Sequence, residues 1–170
     1  MRKIIYLLLL FFLVFACRTL TDVVDERYQP VTVNAFLDHP FGDSESVAAL
    51  KKRFSKEVKI KRIIRRNKHD AQKVDTIFQF YYRKSSVFVY KTYFNREMIF
   101  GGVIYNNKFP LVNGVVPGMK RSEFFKSFKD LDATSADSMS LDSKEQTRKF
   151  TFIFDSKGKL KKINFSLYVD

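Results

Sequence analysis

The chain opens on an apolar block and then settles into shorter patterns. Arg2 and Lys3 precede thirteen residues without a charge, 4–16. A helix of that length reaches about 20 Å, short of the roughly 30 Å hydrocarbon core of a bilayer. A charged start, a short apolar run and a small residue, Ala16, at its end form a cleavable export signal. The next stretch, 18–32, is mixed and polar with no sustained period, and reads as a tether. After Pro30, Val31-Thr32-Val33 is expected to begin a short edge strand. Residues 39–44 (His-Pro-Phe-Gly-Asp-Ser) are a turn cluster in which Asp43 or Ser44 can cap the helix that follows. Val47, Leu50 and Phe54 then fall on one helical face. Lys51, Lys52, Arg53 and Lys56 crowd its C-terminal end, where they suit the helix dipole.

From residue 57 the period changes from helical to two. Val58 and Ile60 alternate with Lys59 and Lys61, predicting a strand over 57–66 with one apolar and one basic face. Residues 67–70 turn the chain. The strand 74–82 follows, with Thr76, Phe78, Phe80 and Tyr82 together. After a turn at 83–86, the strand 87–94 groups Phe88, Tyr90, Thr92 and Phe94, expected on the face that packs the helices. A turn at Asn95-Arg96 leads to a strand over 98–105, where Gly101-Gly102 predicts a bulge or a close backbone approach. Four strands joined by short turns make an antiparallel meander.

Pro117-Gly118 opens a second helix over 120–131, with Phe124, Phe128 and Leu131 on one face. Residues 132–143 are small and polar, a loop or a poor strand. Phe150, Phe152 and Phe154 alternate over 148–155, and Asp155-Ser156-Lys157-Gly158 makes a hairpin turn. A last strand, 160–169, points Ile163, Phe165, Leu167 and Val169 inward. The fold class is α+β, an antiparallel meander covered by short helices. The two halves share the order turn, helix, strands, and Phe54 to Phe78 spans the same 24 positions as Phe128 to Phe152. A tandem duplicated unit is therefore an expectation. The organisation reads as a signal peptide at 1–16, a lipidated tether at 17–32, a first half at 33–109 and a second at 110–170.

Leu13-Val14-Phe15-Ala16-Cys17 resembles a bacterial lipobox, with Phe15 a departure from its usual small residue. The resemblance implies that the signal is cut before Cys17, that its thiol carries a diacylglyceryl group, and that the new amino terminus is acylated. Fatty chains such as palmitate would then hold the protein on a membrane, since two or more chains anchor firmly where one is marginal. Cys17 is the only cysteine, so its acylation leaves no thiol for a disulfide, a metal or a nucleophile. Arg18 is not the aspartate that retains lipoproteins at the inner membrane in some Gram-negative bacteria, which points to the outer membrane and the periplasm. The stretch 113–119 (NGVVPGM), the helix at 122–128 and the final hairpin at 150–168 resemble the small-lipoprotein superfamily of BamE/SmpA outer-membrane proteins and the β-lactamase-inhibitor proteins. Lys120 stands where that pattern places a Ser or Thr cap. The resemblance implies short helices on antiparallel strands and binding through variable surfaces.

Composition adds a basic bias. The chain carries a net charge of +13, and removing residues 1–16 lowers it only by the charges of Arg2 and Lys3. Residues 51–68 hold ten Lys or Arg against one acid, Glu57. Lys59, Lys61, Arg62, Arg65 and Arg66 are the candidate contact for an anionic partner: lipid head groups, an acidic glycan or an envelope protein. The same residues also suit a solvated sheet edge whose lysines discourage aggregation. Nucleic acid is not an expected partner of an exported chain.

No cofactor motif, phosphate loop or nucleophile elbow is present. His39 and His69 both fall in turns. Asp130, Asp132, Asp137 and Asp142 lack the glycine and closing glutamate of a calcium loop. The expected function is that of a non-enzymatic binding or scaffolding lipoprotein of the bacterial envelope. The alternative is an envelope hydrolase or inhibitor-like module, which a cleft of converging polar groups would mark. Cys17→Ser should leave the precursor unacylated, so labelled palmitate should no longer enter it; continued labelling would remove the anchor.

Overall fold

The computed structural model describes residues 28–67, 69–143 and 148–167. The expected signal peptide at 1–16, Cys17, the expected tether up to residue 27, Lys68, Tyr168 and Val169 lie outside them. Among the described residues the order is α1 (Val33–Asp38), α2 (Val47–Arg53), β1 (Lys59–Arg66), β2 (Val74–Tyr82), β3 (Ser85–Lys91), β4 (Glu97–Ile104), α3 (Arg121–Lys126), β5 (Ser138–Asp142), β6 (Arg148–Phe154) and β7 (Leu160–Leu167). The strands form one antiparallel sheet in the order β1-β2-β3-β4-β7-β6-β5. The expected meander is its first four strands. β7 then pairs with β4, so both halves share a single sheet.

One row of side chains explains how the halves join. Ile60, Phe80, Val87, Gly102, Phe165, Phe150 and Leu141 stand opposite one another across the seven strands. Partners directly opposite share a face, so this row lines the side that the helices cover. Its two smallest members, Val87 and Gly102, stand side by side between Phe80 and Phe165. A Cβ at Gly102 would sit 2.5 Å from the Phe165 ring and 2.5 Å from the Ser86 carbonyl oxygen. The missing side chain is what lets Phe165 lie across β4. The register shift opposite Phe88 and Val89 places a bulge beside it, as the glycine pair predicts.

The core is a relay of phenylalanine rings over this row. Phe80 meets Phe54 at 5.4 Å between centroids, Phe54 meets Phe41 at 5.6 Å, and Phe41 meets Phe165 at 5.5 Å. Phe165 stacks on Phe150 at 5.0 Å, which touches Phe36 at 5.0 Å, and Phe36 reaches Phe128 at 5.3 Å. Such pairs contribute about 0.5–1.5 kcal/mol each beyond their burial. Leu50 of α2 and Phe124 of α3 are buried in the same core.

Several expectations change. Val31 makes one bridge to Phe128, and Val33–Asp38 is a helix, not an edge strand. Thr32 caps it by accepting the Ala35 N–H at 3.2 Å. Ser46, not Asp43 or Ser44, caps α2 by accepting from Ala49 N–H at 3.2 Å. α3 stops at Lys126, short of Leu131, because Val31 docks on the chain there: the Val31 N–H donates to the Ser127 carbonyl at 3.3 Å and the Lys129 N–H donates to the Val31 carbonyl at 2.9 Å. At the start of α3, Lys120 supplies no side-chain cap, and Glu123 instead accepts the Lys120 backbone N–H at 3.1 Å. The segment 132–143 resolves into a loop and the edge strand β5.

The largest correction is β3. Val87 and Val89 enter the core, while Phe88 and Tyr90 stand on the opposite face and Phe94 is exposed. The two halves are also unequal, with two helices and four strands before one helix and three strands, which gives the duplication no support. They are instead tied by Glu45, before α2, whose carboxylate accepts from both terminal guanidinium nitrogens of Arg148 on β6. Gly102→Ala should lower stability by about 1–3 kcal/mol, because the Ser86 carbonyl is backbone and cannot yield. A urea midpoint equal to that of the parent chain would show that the seam is looser than described.

Candidate binding surface

No described helix covers the second face of the sheet. Its rows follow from the same register. Ile63, Ile77, Tyr90 and Met98 stand side by side, and Lys61, Gln79 and Phe88 form the next row. Phe100, displaced by the bulge, packs its ring 5.7 Å from Phe88 and 6.4 Å from Tyr90. None of these apolar side chains joins the buried core. They form an apolar strip on the open side of a half-covered antiparallel sheet, where polar residues are the usual occupants.

Strand β1 borders that strip. Its alternation divides the five basic candidates between the faces. Lys59, Lys61 and Arg65 stand opposite Tyr81, Gln79 and Asp75 and so belong to the open face. Arg62 and Arg66 stand opposite Phe78 and Val74 on the helix side. The basic face of β1 is therefore the open one, as Lys59 and Lys61 lead one to expect. The apolar face is less buried than expected: Val58 packs against the core, but Ile60 and Ile64 are exposed. Cys17 lies outside the described residues.

The β1–β2 and β3–β4 turns lie at one end of the sheet and are tied together by Asp75. This carboxylate is buried. It accepts from the Tyr90 hydroxyl, from Asn67 Nδ2 at 2.7 Å and from the Tyr93 backbone N–H at 3.1 Å. The Tyr90 hydrogen bond is the main reason its pKa falls below the ordinary carboxylate value, with Asn67 and Tyr93 adding to it against burial. The same bond, with burial, raises the Tyr90 phenol. At the other end of the sheet Glu57 meets Lys108 and accepts from the Tyr82 hydroxyl at 3.3 Å. The Lys108 hydrogen bond lowers the Glu57 carboxyl and, reciprocally, raises the Lys108 ammonium.

The remaining chemistry-bearing residues diverge. His39 ends α1 and His69 sits in the β1–β2 turn, both exposed. Asp130 accepts the Val33 N–H at 2.8 Å, Asp137 pairs with Arg121 at 3.3 Å, and Asp142 pairs with Lys149 at 3.8 Å. Among the described residues no three His, Cys, Asp or Glu converge on a point where a metal could sit. No described helix is long and apolar enough to cross a membrane. The chain matches no protein-family model, no characterised protein and no solved structure in the comparisons made.

Sequence reasoning missed the open strip. Its signal was present: in β2 and β3 both parities are apolar, Ile77 beside Phe78 and Phe88 beside Val89, so both faces carry apolar groups. Asp75 gives the pH test. Its pKa is depressed in the fold, so its stabilising effect is complete above the unfolded value and fades as pH falls through the folded one. Asp75→Asn should lower the melting temperature at neutral pH, and the gap to the parent chain should close as pH drops below about 4. A gap that stays constant through that range would remove the carboxylate from its role.

Proposed function

We propose that this chain is an exported, membrane-anchored lipoprotein of the bacterial envelope that acts as a non-enzymatic binding module. Cys17 carries the lipid, the segment 1–16 is removed, and the outer membrane is the destination. The domain presents the open face of its sheet to a protein whose contact surface is apolar at its centre and acidic at its rim. The small-lipoprotein families that the sequence resembles bind through variable surfaces, which supports a contact of this kind.

The observation that carries the reading is the strip of Ile63, Ile77, Phe88, Tyr90, Met98 and Phe100 beside Lys59, Lys61 and Arg65. An apolar centre supplies affinity through desolvation, and a basic margin selects an acidic partner and speeds encounter. The other basic candidates, Arg62 and Arg66, belong to the helix side and do not enter this contact.

A photo-crosslinking residue placed at Phe88 in the full-length chain should yield a discrete adduct with one envelope protein. Lys59→Glu with Lys61→Glu should remove that adduct without lowering the amount of folded protein. An adduct pattern identical to that from a probe at exposed Lys52 on α2 would sink the proposal.

A further inference from the structure

The end of the sheet where β1 and β3 finish carries a second surface, separate from the open strip. Phe94 is 70 % exposed and Tyr93 37 %. Both sit in the β3–β4 turn with their rings 3.7 Å apart between centroids. Ile64 and Val74, at the matching end of β1 and β2, are also exposed. Around these apolar groups stand Arg65, Arg66, Lys73 and Arg96. Asp70 answers Lys73 at 3.0 Å, and Asp75 is consumed by its three donors. The side chains of Arg66 and Arg96 have no ion-pair partner among the described residues.

The turn is also braced. Asp75 holds the Tyr93 N–H, the Asn95 N–H donates to the Thr92 carbonyl at 2.9 Å, and the Thr92 N–H donates to the Arg96 carbonyl at 2.9 Å. Asn95 takes a φ of 64°, which its short amide side chain tolerates. Lys73 Nζ lies 4.4 Å from the Tyr93 ring centre, on the side of the β1–β2 turn. Two hairpin ends are thus tied into one tip, and ordering it on contact would cost little conformational entropy.

This tip combines exposed aromatic groups with guanidinium groups that have no ion-pair partner among the described residues. It matches a surface that is apolar a few ångströms down and negatively charged above, namely an anionic bilayer. We propose that this tip is a peripheral contact for an anionic lipid bilayer, with Phe94 and Tyr93 entering the interfacial layer and Arg66 and Arg96 meeting lipid phosphates. The contact goes beyond the open-face reading and does not need it. It would add a second hold on the membrane to whatever the acylated amino terminus supplies, and two weak signals together give firm attachment.

The chain has no tryptophan, so Phe94→Trp creates a single reporter at a site already exposed. The full-length variant is reconstituted in vesicles of phosphatidylcholine, alone or mixed with phosphatidylglycerol. Its emission should move to the blue, and brominated lipid should quench it, only in the phosphatidylglycerol vesicles. Adding Arg66→Gln and Arg96→Gln should lower the ratio of inserted to free tip roughly thirtyfold, at roughly fivefold per basic group.

Water-exposed emission in both vesicles overturns the proposal, and so does an equal shift in both. A shift that grows with protein concentration in detergent, without vesicles, overturns it in favour of a second copy of the chain. Phe100→Trp, made separately, reports the open strip: a change there with none at residue 94 rejects the tip contact and leaves the open-face reading standing.

Discussion

The molecule is held as one body by the fit of the Phe165 ring over Gly102. Without it the meander β1–β4 and the hairpin β6–β7 would each expose an apolar face too small to be stable alone. The ring fills the gap that glycine leaves, and its far side stacks on Phe150 and meets Phe41. The relay of phenylalanines then runs unbroken from Phe80 to Phe128. No cysteine lies among the described residues, and the core there is packed largely from these rings.

Much of this was legible in the order of the residues, and the failures share a cause. The alternation in β6 is clean because only one parity is aromatic, so Phe150, Phe152 and Phe154 are assigned to the core correctly. In β3 both parities are apolar, and the period alone cannot choose between Val87-Val89 and Phe88-Tyr90. The choice is made by neighbours distant in sequence: Phe80 on one side, and Gly102 with Phe165 beyond it, leave room for a valine. Helix α1 was missed because six residues give less than two turns of pattern, and Thr32 can be read equally as a cap or as a strand residue. The basic edge was visible as charge, but the separation of Arg62 and Arg66 from Lys59, Lys61 and Arg65 came only with the register. The strip beside it became visible only with the register.

The charge imbalance also acquires a structural explanation. Many acids are committed to holding the fold. Glu45 grips Arg148, and Glu97 accepts the Val47 N–H at 2.7 Å while pairing with Lys91 at 3.1 Å. Asp130 accepts from the start of α1, Asp75 braces the tip, and Asp155 organises the β6–β7 turn by accepting from Lys157 and Lys159 N–H at 2.9 Å. With these carboxylates committed to contacts elsewhere, the lysines and arginines of β1 have no ion-pair partner among the described residues. Strand β1 is thus one edge of the molecule that carries positive charge, and such charge can steer encounters.

The strand order has a consequence for how the chain comes into being. Synthesis finishes β4 long before β7 begins at Leu160, yet β7 is its lateral partner. In that interval the half-made domain has a bare ladder of amides on β4 and an uncovered slot where the Phe165 ring belongs. A nascent intermediate of this shape can recruit a stray strand as easily as its own. Secure maturation therefore depends on β7 (Leu160–Leu167) arriving promptly, and a holdase that shields β4 meanwhile would have a defined handle to grasp.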